Sequence, residues 1–441
     1  MNNIIRKVYH NASNRSHMKY HFDRFLFIST TVNKIENQSI LARNDINNDK
    51  NSLSRDLAMK IKLSGPVSVA HYMKQVLTHP TKGYYINKDI LGQEGDFTTS
   101  PEISQLFGEM IAVWIVSECK KMHGKPFQIV ELGPGRGTLS NDLLRVFNKL
   151  KMSERISLHL VEVSPVLSEI QKKKLCVSES DLDKDSCSGQ YYYKKGKTTD
   201  NVEVFWYKSI VDIPHGFSVF LAQEFFDALP IHKFQKTKNG WFEVLVDVDS
   251  TSQGEEKFRF VLAKTEACNS LISKDEQRDH IEVSMEAMQI IKYISAAITQ
   301  NGGFSLIIDY GHDGEKTDTF RAFKQHKQCD PLLKPGSADL TADVDFSLLK
   351  KAAKETRNLL CYGPVTQQEF LVEMGINVRL MNLLKTATPE QKKQLESGYK
   401  KITGSEEMGN CFKVVSMFPT VLKDHLKRFP VHGFSMYRQD P

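Results

Sequence analysis

The sequence predicts an α/β protein built on a doubly wound sheet. Two observations favour this class. Apolar strand-like runs alternate with helical apolar stripes through the central sequence, and one such run leads directly into a glycine-rich loop and a helix start. That unit is residues 127–138, FQIVELGPGRGT, with three glycines at alternate positions. Glycine adopts positive φ freely and lets backbone approach a ligand closely. The unit therefore predicts a nucleotide-type binding turn.

Composition narrows the classes of function. The net charge of +6 on 441 residues is mild, and no continuous basic and aromatic face stands out, so nucleic-acid binding is not expected. The seven cysteines include no Cys-x-x-Cys pair, which indicates a reducing compartment and no metal site. The longest apolar stretch, residues 106–116, is too short and too polar for a transmembrane segment.

Residues 1–64 differ from the rest of the chain. Their first part is basic and hydroxyl-rich, with Asp23 as the single early acid, and an Asn/Asp-rich run follows at residues 44–51. This composition is typical of a mitochondrial presequence followed by a disordered linker, with a plain disordered tail as the alternative. We expect folded sequence to begin near Gly65.

Residues 65–125 predict an N-terminal helical segment that packs on the cofactor site. Its polar loop, residues 95–102, precedes a helix that we expect to begin with Ser100 as N-cap and Pro101 at the first helical position. The loop contains Asp96 and Thr98 with the adjacent Thr99, which are more polar side chains than capping of the helix requires. We therefore expect this loop to contact the ligand, and simple capping is the alternative.

After the glycine loop, Thr138 is the expected N-cap of the next helix. A second strand then ends at Glu162, where nucleotide-binding βαβ units place the acid that accepts hydrogen bonds from ribose hydroxyls. Residues 177–201 are polar and predict a surface insertion. The strand at 217–222 leads to Glu224 and Asp227, just beyond a carboxyl end, where open α/β sheets place their chemistry.

The remaining elements follow in order. Residues 232–280 predict a β-rich insertion with a hairpin turn at 238–240, and residues 281–298 predict a helix. A buried strand beginning near Gly303 ends in the polar string 309–312, DYGH. An acid-rich stretch, residues 339–346, then leads into a helix.

The glycine spacing distinguishes two cofactors. A dinucleotide site has G-x-G-x-x-G, whereas this loop has an acid followed by G-x-G-x-G, so an NAD-dependent oxidoreductase is the less favoured alternative. The loop resembles motif I of S-adenosylmethionine-dependent methyltransferases. That resemblance implies S-adenosyl-L-methionine as cofactor. The residues expected to bind this cofactor are Asp96, Thr98, Glu131, Gly133, Gly135, Gly137 and Glu162.

Further strings extend the resemblance over about residues 65–415. They are similar to those of the MidA family of mitochondrial protein-arginine methyltransferases that assist complex I assembly. The matching strings are HPTKGYY (79–85), GDFTTSPE (95–102), ELGPGRGTL (131–139), QEFFDALP (223–230), DYGH (309–312) and DLTADVDF (339–346).

The resemblance implies a Rossmann-like class I methyltransferase fold over residues 126–430, interrupted near 177–201 and 232–280. It implies a matrix enzyme that forms symmetric dimethylarginine on a quinone-module core subunit of complex I. The alternative is a non-catalytic assembly chaperone on the same fold. The apolar helix at 103–116 is expected in the core, with a homodimer interface as the alternative.

The catalytic hypothesis depends on paired carboxylates. Glu224 and Asp227 can clamp a substrate guanidinium and localise its charge, leaving one nitrogen free for the methyl group. Asp309 and His312 are expected to orient the substrate or to assist proton removal. For each of these residues the alternative is an ordinary strand-end or capping role. Arg136 is expected to form a structural ion pair, with contact to the cofactor carboxylate as the alternative.

Overall fold

A mixed sheet of nine strands forms the centre of the part of the chain that the computed structural model describes, residues 52–86, 98–122, 126–177, 191–249, 256–356 and 358–435. Strands are numbered along the chain. In spatial order they are β16 (Leu359–Thr366), β17 (Phe412–Pro419), β11 (Gly303–His312), β6 (Ser218–Gln223), β2 (Phe127–Leu132), β3 (Ile156–Val161), β5 (Glu203–Tyr207) and β4 (Lys194–Lys197), with β15 (Val344–Asp345) paired to the end of β11.

The five strands from β11 to β5 are mutually parallel, whereas β17 runs antiparallel to β11. Successive side chains of β2 face opposite sides of the sheet. Ile129 therefore joins the core beneath the helices on one face, and Val130 joins the core beneath those on the other. This arrangement confirms the predicted doubly wound α/β fold.

Helices cover both faces of this sheet. One face is packed against α4 (Gln105–Met122), α5 (Thr138–Lys149), α6 (Pro165–Leu175), α10 (Gln367–Glu373), α11 (Ile376–Leu384), α12 (Pro389–Thr403) and α14 (Lys423–Arg428). The other is packed against α8 (Met285–Asn301) and α9 (Phe346–Lys354). Short α13 (Met408–Cys411) precedes β17. No helix within the described ranges has both the length and the apolar character of a membrane span.

A second, antiparallel sheet confirms the predicted β-rich insertion. Its order is β1 (Val67–Ser68), β8 (Gly240–Val248), β7 (His232–Thr237) and β10 (His280–Val283), with β9 (Phe258–Ala263) paired to β8. The predicted hairpin is present, since Thr237 pairs with Gly240. Short α7 (Ala267–Ser270) follows β9, and a small sheet contains β13 (Lys327–Cys329), β12 (Arg321–Lys324) and β14 (Asp339–Thr341).

Two helices near the start of the described chain pack on the insertion sheet and correct one predicted boundary. They are α1 (Ser52–Ser64) and α2 (Val69–Thr78). Leu57 and Ile61 of α1 are buried in one core with Val246 of β8. Residues 52–64 are therefore folded, and the expected start near Gly65 is wrong. Of the 64 residues assigned to the presequence and linker, residues 1–51 lie outside the described ranges.

Three further expectations need correction. The insertion at 177–201 is not wholly a surface loop, because residues 194–197 form β4, paired antiparallel with β5. The helix expected over 281–298 begins at Met285, since residues 280–283 pair with β7. The helix expected after Pro101 is divided at Ser104 into α3 (Ser100–Ile103) and α4, and its N-cap is Thr99.

Candidate functional site

The order of the strands in the central sheet indicates where a ligand would bind. The chain proceeds from β2 to β3 on one side, and it later returns to β6 on the other side of β2. The crevice outside the carboxyl ends of β2 and β6 is therefore a topological switch point, where open α/β sheets bind ligands. The glycine loop follows β2, Glu162 follows β3, and the turn at residues 224–227 follows β6.

The glycine loop has the backbone that its sequence predicts. Gly133, Gly135 and Gly137 have φ of 62°, 55° and 74°, all in the left-handed region that other residues avoid. A Cβ on Gly133 would lie 2.7 Å from Cδ2 of Phe225, so this glycine also makes room for the turn after β6. Gly137 is the N-cap of α5, one residue before the expected Thr138.

Glu131 joins the end of β2 to the first turn of α5. Its carboxylate is buried and accepts a hydrogen bond from Ser140 Oγ. Burial raises the pKa of Glu131 to about 7. These contacts stabilise the shape of the glycine loop, and direct contact of Glu131 with a cofactor stays a prediction.

Glu162 is buried and connected to the glycine loop. Its Oε1 accepts the N–H of Ser164 at 2.7 Å, and its Oε2 accepts from Gln171 Nε2 at 3.0 Å. The same Gln171 nitrogen donates to the carbonyl oxygen of Gly135 at 2.7 Å. A carboxylate has about four acceptor positions, so Glu162 can still accept bonds from ribose hydroxyls.

Glu224 lies in a strained conformation at the carboxyl end of β6. Its φ is 51°, which is uncommon for a residue with a side chain and costs free energy. Its Oε1 accepts the N–H of Ser100 at 2.9 Å and Nε2 of Gln223 at 2.8 Å. Burial raises the pKa of Glu224 to about 7, and the nearby carboxyl of Asp227 adds to the rise. Strain of this kind clusters at functional sites.

Asp227 lies in the same turn and is fastened to the acid-rich stretch. Its Oδ2 accepts from Thr341 Oγ1 at 3.1 Å, and its carbonyl oxygen accepts the N–H of Ala342 at 3.0 Å. Burial raises the pKa of Asp227 to about 6. Glu224 and Asp227 thus meet at one edge of the sheet as predicted, and both have pKa values near neutrality.

Other members of the acid-rich stretch have partners of their own. Asp339 accepts a hydrogen bond from the hydroxyl of Tyr85 at 2.7 Å. Asp343 pairs with both Lys316 Nζ and Arg321 Nη1 at 2.5 Å. Two cations therefore neutralise Asp343, and one of them, Arg321, also lies near enough to Asp227 to oppose the rise of its pKa.

His312, at the end of β11, contacts the turn that follows it. It is buried, and its Nδ1 accepts the N–H groups of Gly314 at 3.0 Å and Lys316 at 3.3 Å. Burial lowers the pKa of His312, so the ring is neutral at neutral pH. These contacts of Nδ1 hold the turn after β11, and the expected catalytic role of His312 stays a prediction. Asp309 is fully buried and accepts backbone N–H groups of the 224–227 turn.

The loop before α3 is described only in part. Asp96 lies outside the described residues, and Thr98 is half-buried just before α3, so their expected ligand contacts stay predictions. Arg136 Nε lies 4.0 Å from Glu102 Oε1, which supports the structural ion pair.

Three contacts at the site have no signal in the local sequence. They are the Ser100 N–H bond to Glu224, the support of the turn by Asp309, and the Tyr85–Asp339 bond. The first links residues 124 positions apart. The strings that contain Tyr85 and Asp339 carry the family resemblance, but nothing in them indicates that these two residues touch.

Comparison with known proteins agrees with this geometry. Residues 110–365 match a family described as putative S-adenosyl-L-methionine-dependent methyltransferases. The mitochondrial protein arginine methyltransferase NDUFAF7 homologue of Drosophila melanogaster is 49% identical over 389 residues, covering 87% of this chain and 89% of its own. The mitochondrial protein arginine methyltransferase NDUFAF7 of Homo sapiens is 49% identical over 372 residues, covering 83% of each chain.

Solved structures confirm the fold. A crystal structure from Burkholderia thailandensis, described as a likely methyl transferase bound to S-adenosyl-homocysteine, aligns with a TM-score of 0.68. It is 23% identical, and the match covers 86% of this chain and 95% of that one. A native crystal structure from the same organism aligns with a TM-score of 0.66 at the same identity and coverage.

Proposed function

Because the chain belongs to the family of S-adenosyl-L-methionine-dependent methyltransferases, in its MidA branch, we propose that it methylates an arginine side chain of a protein. The observation that favours chemistry over binding alone is the strained Glu224, held at φ 51° at the switch point opposite the glycine loop. A non-catalytic assembly chaperone needs no such strained acid. No feature of the described residues favours that alternative.

The residues present fit the cofactor. Three left-handed glycines leave backbone open to close approach, and Glu162 beyond β3 has acceptor positions for ribose hydroxyls. We propose Gly133, Gly135, Gly137 and Glu162 as its binding residues, with Glu131 shaping the loop. When bound, S-adenosylmethionine supplies an electrophilic methyl group on a sulfonium.

Glu224 and Asp227 are proposed to hold and orient the substrate. Two carboxylates can accept the parallel N–H groups of a guanidinium and localise its positive charge on the clamped side. The remaining nitrogen is then positioned for an in-line displacement. With a pKa of about 7, Glu224 can also accept the proton that this nitrogen releases on methylation.

The finer assignment is that the protein acts in the mitochondrial matrix, forms symmetric dimethylarginine and modifies a quinone-module core subunit of complex I, so promoting assembly. Its support is the resemblance over residues 65–415 and the relatives named mitochondrial NDUFAF7. The half-buried acids Glu224 and Asp227 add chemical support, because they suit a cationic substrate side chain.

Two matched variants test the catalytic proposal. Glu224→Gln keeps an oxygen that can accept from Ser100 and Gln223 but loses the charge, so we expect cofactor binding without methylation of an arginine peptide. Glu282→Gln is the control, because Glu282 of β10 also accepts backbone N–H groups, those of Thr319 and Phe320, but lies in the insertion sheet. Full activity of Glu224→Gln would remove Glu224 from the mechanism.

The finer assignment is tested in mitochondria that lack the protein. Mass spectrometry should show loss of one dimethylarginine, and fragmentation that releases monomethylamine identifies the symmetric isomer. Wild-type protein should restore the modification, whereas Glu224→Gln should not. Restoration of complex I assembly by Glu224→Gln, with the arginine unmodified, would instead support the chaperone alternative.

A further inference from the structure

Asp309 of β11 is buried among other acids and bonded only to backbone in the described contacts. It has no solvent exposure. Its Oδ2 accepts the N–H groups of Phe225 at 3.1 Å and Phe226 at 2.8 Å, and its Oδ1 accepts its neighbour Tyr310 N–H at 2.9 Å. Burying a carboxylate beside like charges is unfavourable. The groups that Asp309 binds must therefore account for an acid at this position.

What it holds is the turn that contains Glu224. The N–H of Glu224 donates to the carbonyl oxygen of Ile308 at 2.9 Å, and the next two N–H groups donate to Asp309. Three successive backbone N–H groups are therefore directed at β11. A chain held in this way cannot relax Glu224 out of the left-handed region without breaking hydrogen bonds to buried groups.

The same turn reaches the glycine loop. The ring of Phe225 occupies the space beside Gly133 that a Cβ would need. A displacement of the turn would therefore move both the Glu224 carboxyl and a side chain packed on the loop. Reactions that depend on orientation are sensitive to such displacements, with losses of about 100-fold for a shift of about 1 Å.

We propose that Asp309 is a positioning residue for methyl transfer. Its carboxylate holds Glu224 in the left-handed conformation and so aims the Glu224 side chain into the switch-point crevice. Both of its oxygens accept backbone N–H groups and it is fully buried, so it acts through the turn and does not touch the substrate. This role differs from the expected one, in which Asp309 itself orients the substrate or assists proton removal, and it rests on the proposed function.

A kinetic comparison in the full-length protein tests this role. Asp309→Asn keeps the size of the side chain but replaces one acceptor oxygen with an NH₂ donor. We expect kcat to fall by about 100-fold while the affinity for S-adenosylmethionine, measured by calorimetry, changes little. Glu282→Gln, which also alters a carboxylate that accepts two backbone N–H groups, should leave kcat unchanged.

The outcomes separate this proposal from the proposed function. Wild-type kcat in Asp309→Asn, with Glu224→Gln inactive, would overturn the positioning role alone. Activity in Glu224→Gln would overturn the proposed role of Glu224 itself. An equal loss of kcat in Asp309→Asn and Glu282→Gln would indicate a general structural effect and would also overturn the positioning role.

A stability measurement tests the strain without using activity. Glycine has no steric cost at positive φ, so in an otherwise wild-type chain Glu224→Gly should melt about 2 °C above Glu224→Ala. In the Asp309→Asn background the turn can relax, and this difference should disappear. Absence of the difference in the otherwise wild-type chain, or its persistence beside Asp309→Asn, would overturn the proposal.

Discussion

Replacement of Glu224 by glutamine is expected to stabilise the folded protein at alkaline pH while it removes methyl transfer. The Glu224 carboxyl is held where its charged form is unfavourable, because burial and the neighbouring Asp227 raise its pKa. A neutral amide of the same shape avoids that cost. Its oxygen can still accept from the N–H of Ser100 and from Gln223, as Oε1 does now.

The size of the effect follows from the pKa. Burial moves the value from 4.5 to about 7, and each unit corresponds to about 1.4 kcal/mol. A folded-state pKa above the unfolded value lowers stability as pH rises from 4.5 towards 7, since the unfolded chain releases the proton more readily. Glu224→Gln should therefore raise the free energy of unfolding by on the order of 3 kcal/mol at pH 8 and about 1 kcal/mol at pH 5.

Urea unfolding of wild-type protein and Glu224→Gln at these two pH values measures the difference directly. The expected signature is a stabilisation that grows with pH, together with loss of arginine methylation and retained cofactor binding. A stabilisation equal at both pH values would show that the Glu224 carboxyl is not held with a raised pKa. A variant less stable than wild type at pH 8 would refute the reasoning, because the charged carboxylate would then be favourable.

Two further results are expected. Gly133→Ala should weaken S-adenosylmethionine binding by at least about tenfold in calorimetry. The new Cβ would lie 2.7 Å from the Phe225 ring, and alanine would have to adopt the left-handed backbone conformation of residue 133. Unchanged affinity would contradict the loop assignment. For wild-type protein, kcat/KM for an arginine peptide should rise with pH through the range of about 6 to about 7 as Asp227 and Glu224 ionise, and a flat pH–rate profile would contradict the clamp.

Local pattern was sufficient to predict the centre of the fold and several site residues. The apolar run into three glycines predicted β2, its loop and the start of α5 within one residue. The acids at the ends of β3 and β6 were identifiable because a doubly wound sheet brings carboxyl ends to one edge. These inferences used short-range sequence and one general rule of topology.

Long-range contacts could not be predicted in this way. The carboxyl of Glu224 is bound by the N–H of Ser100, and the sequence between them includes five strands of the central sheet. The ring of His312 accepts N–H groups of the turn that follows it, and the string 309–312 does not indicate these contacts. The helix α1 was missed because an Asn/Asp-rich run precedes it, although Leu57 and Ile61 show helical spacing.

The clustering of acids gives the site a selectivity of its own. Burial raises the pKa of both Glu224 and Asp227, repulsion by the Asp227 charge raises that of Glu224 further, and repulsion by both acids raises the pKa of fully buried Asp309. A cation in the crevice relieves this repulsion, whereas a neutral side chain leaves it in place. Arginine relieves it better than lysine, because its planar guanidinium presents paired N–H groups to two carboxylates and its charge is not lost at neutral pH. The same electrostatics that make Glu224 unfavourable in the free protein therefore favour an arginine substrate, and selection for stability alone would remove this acid.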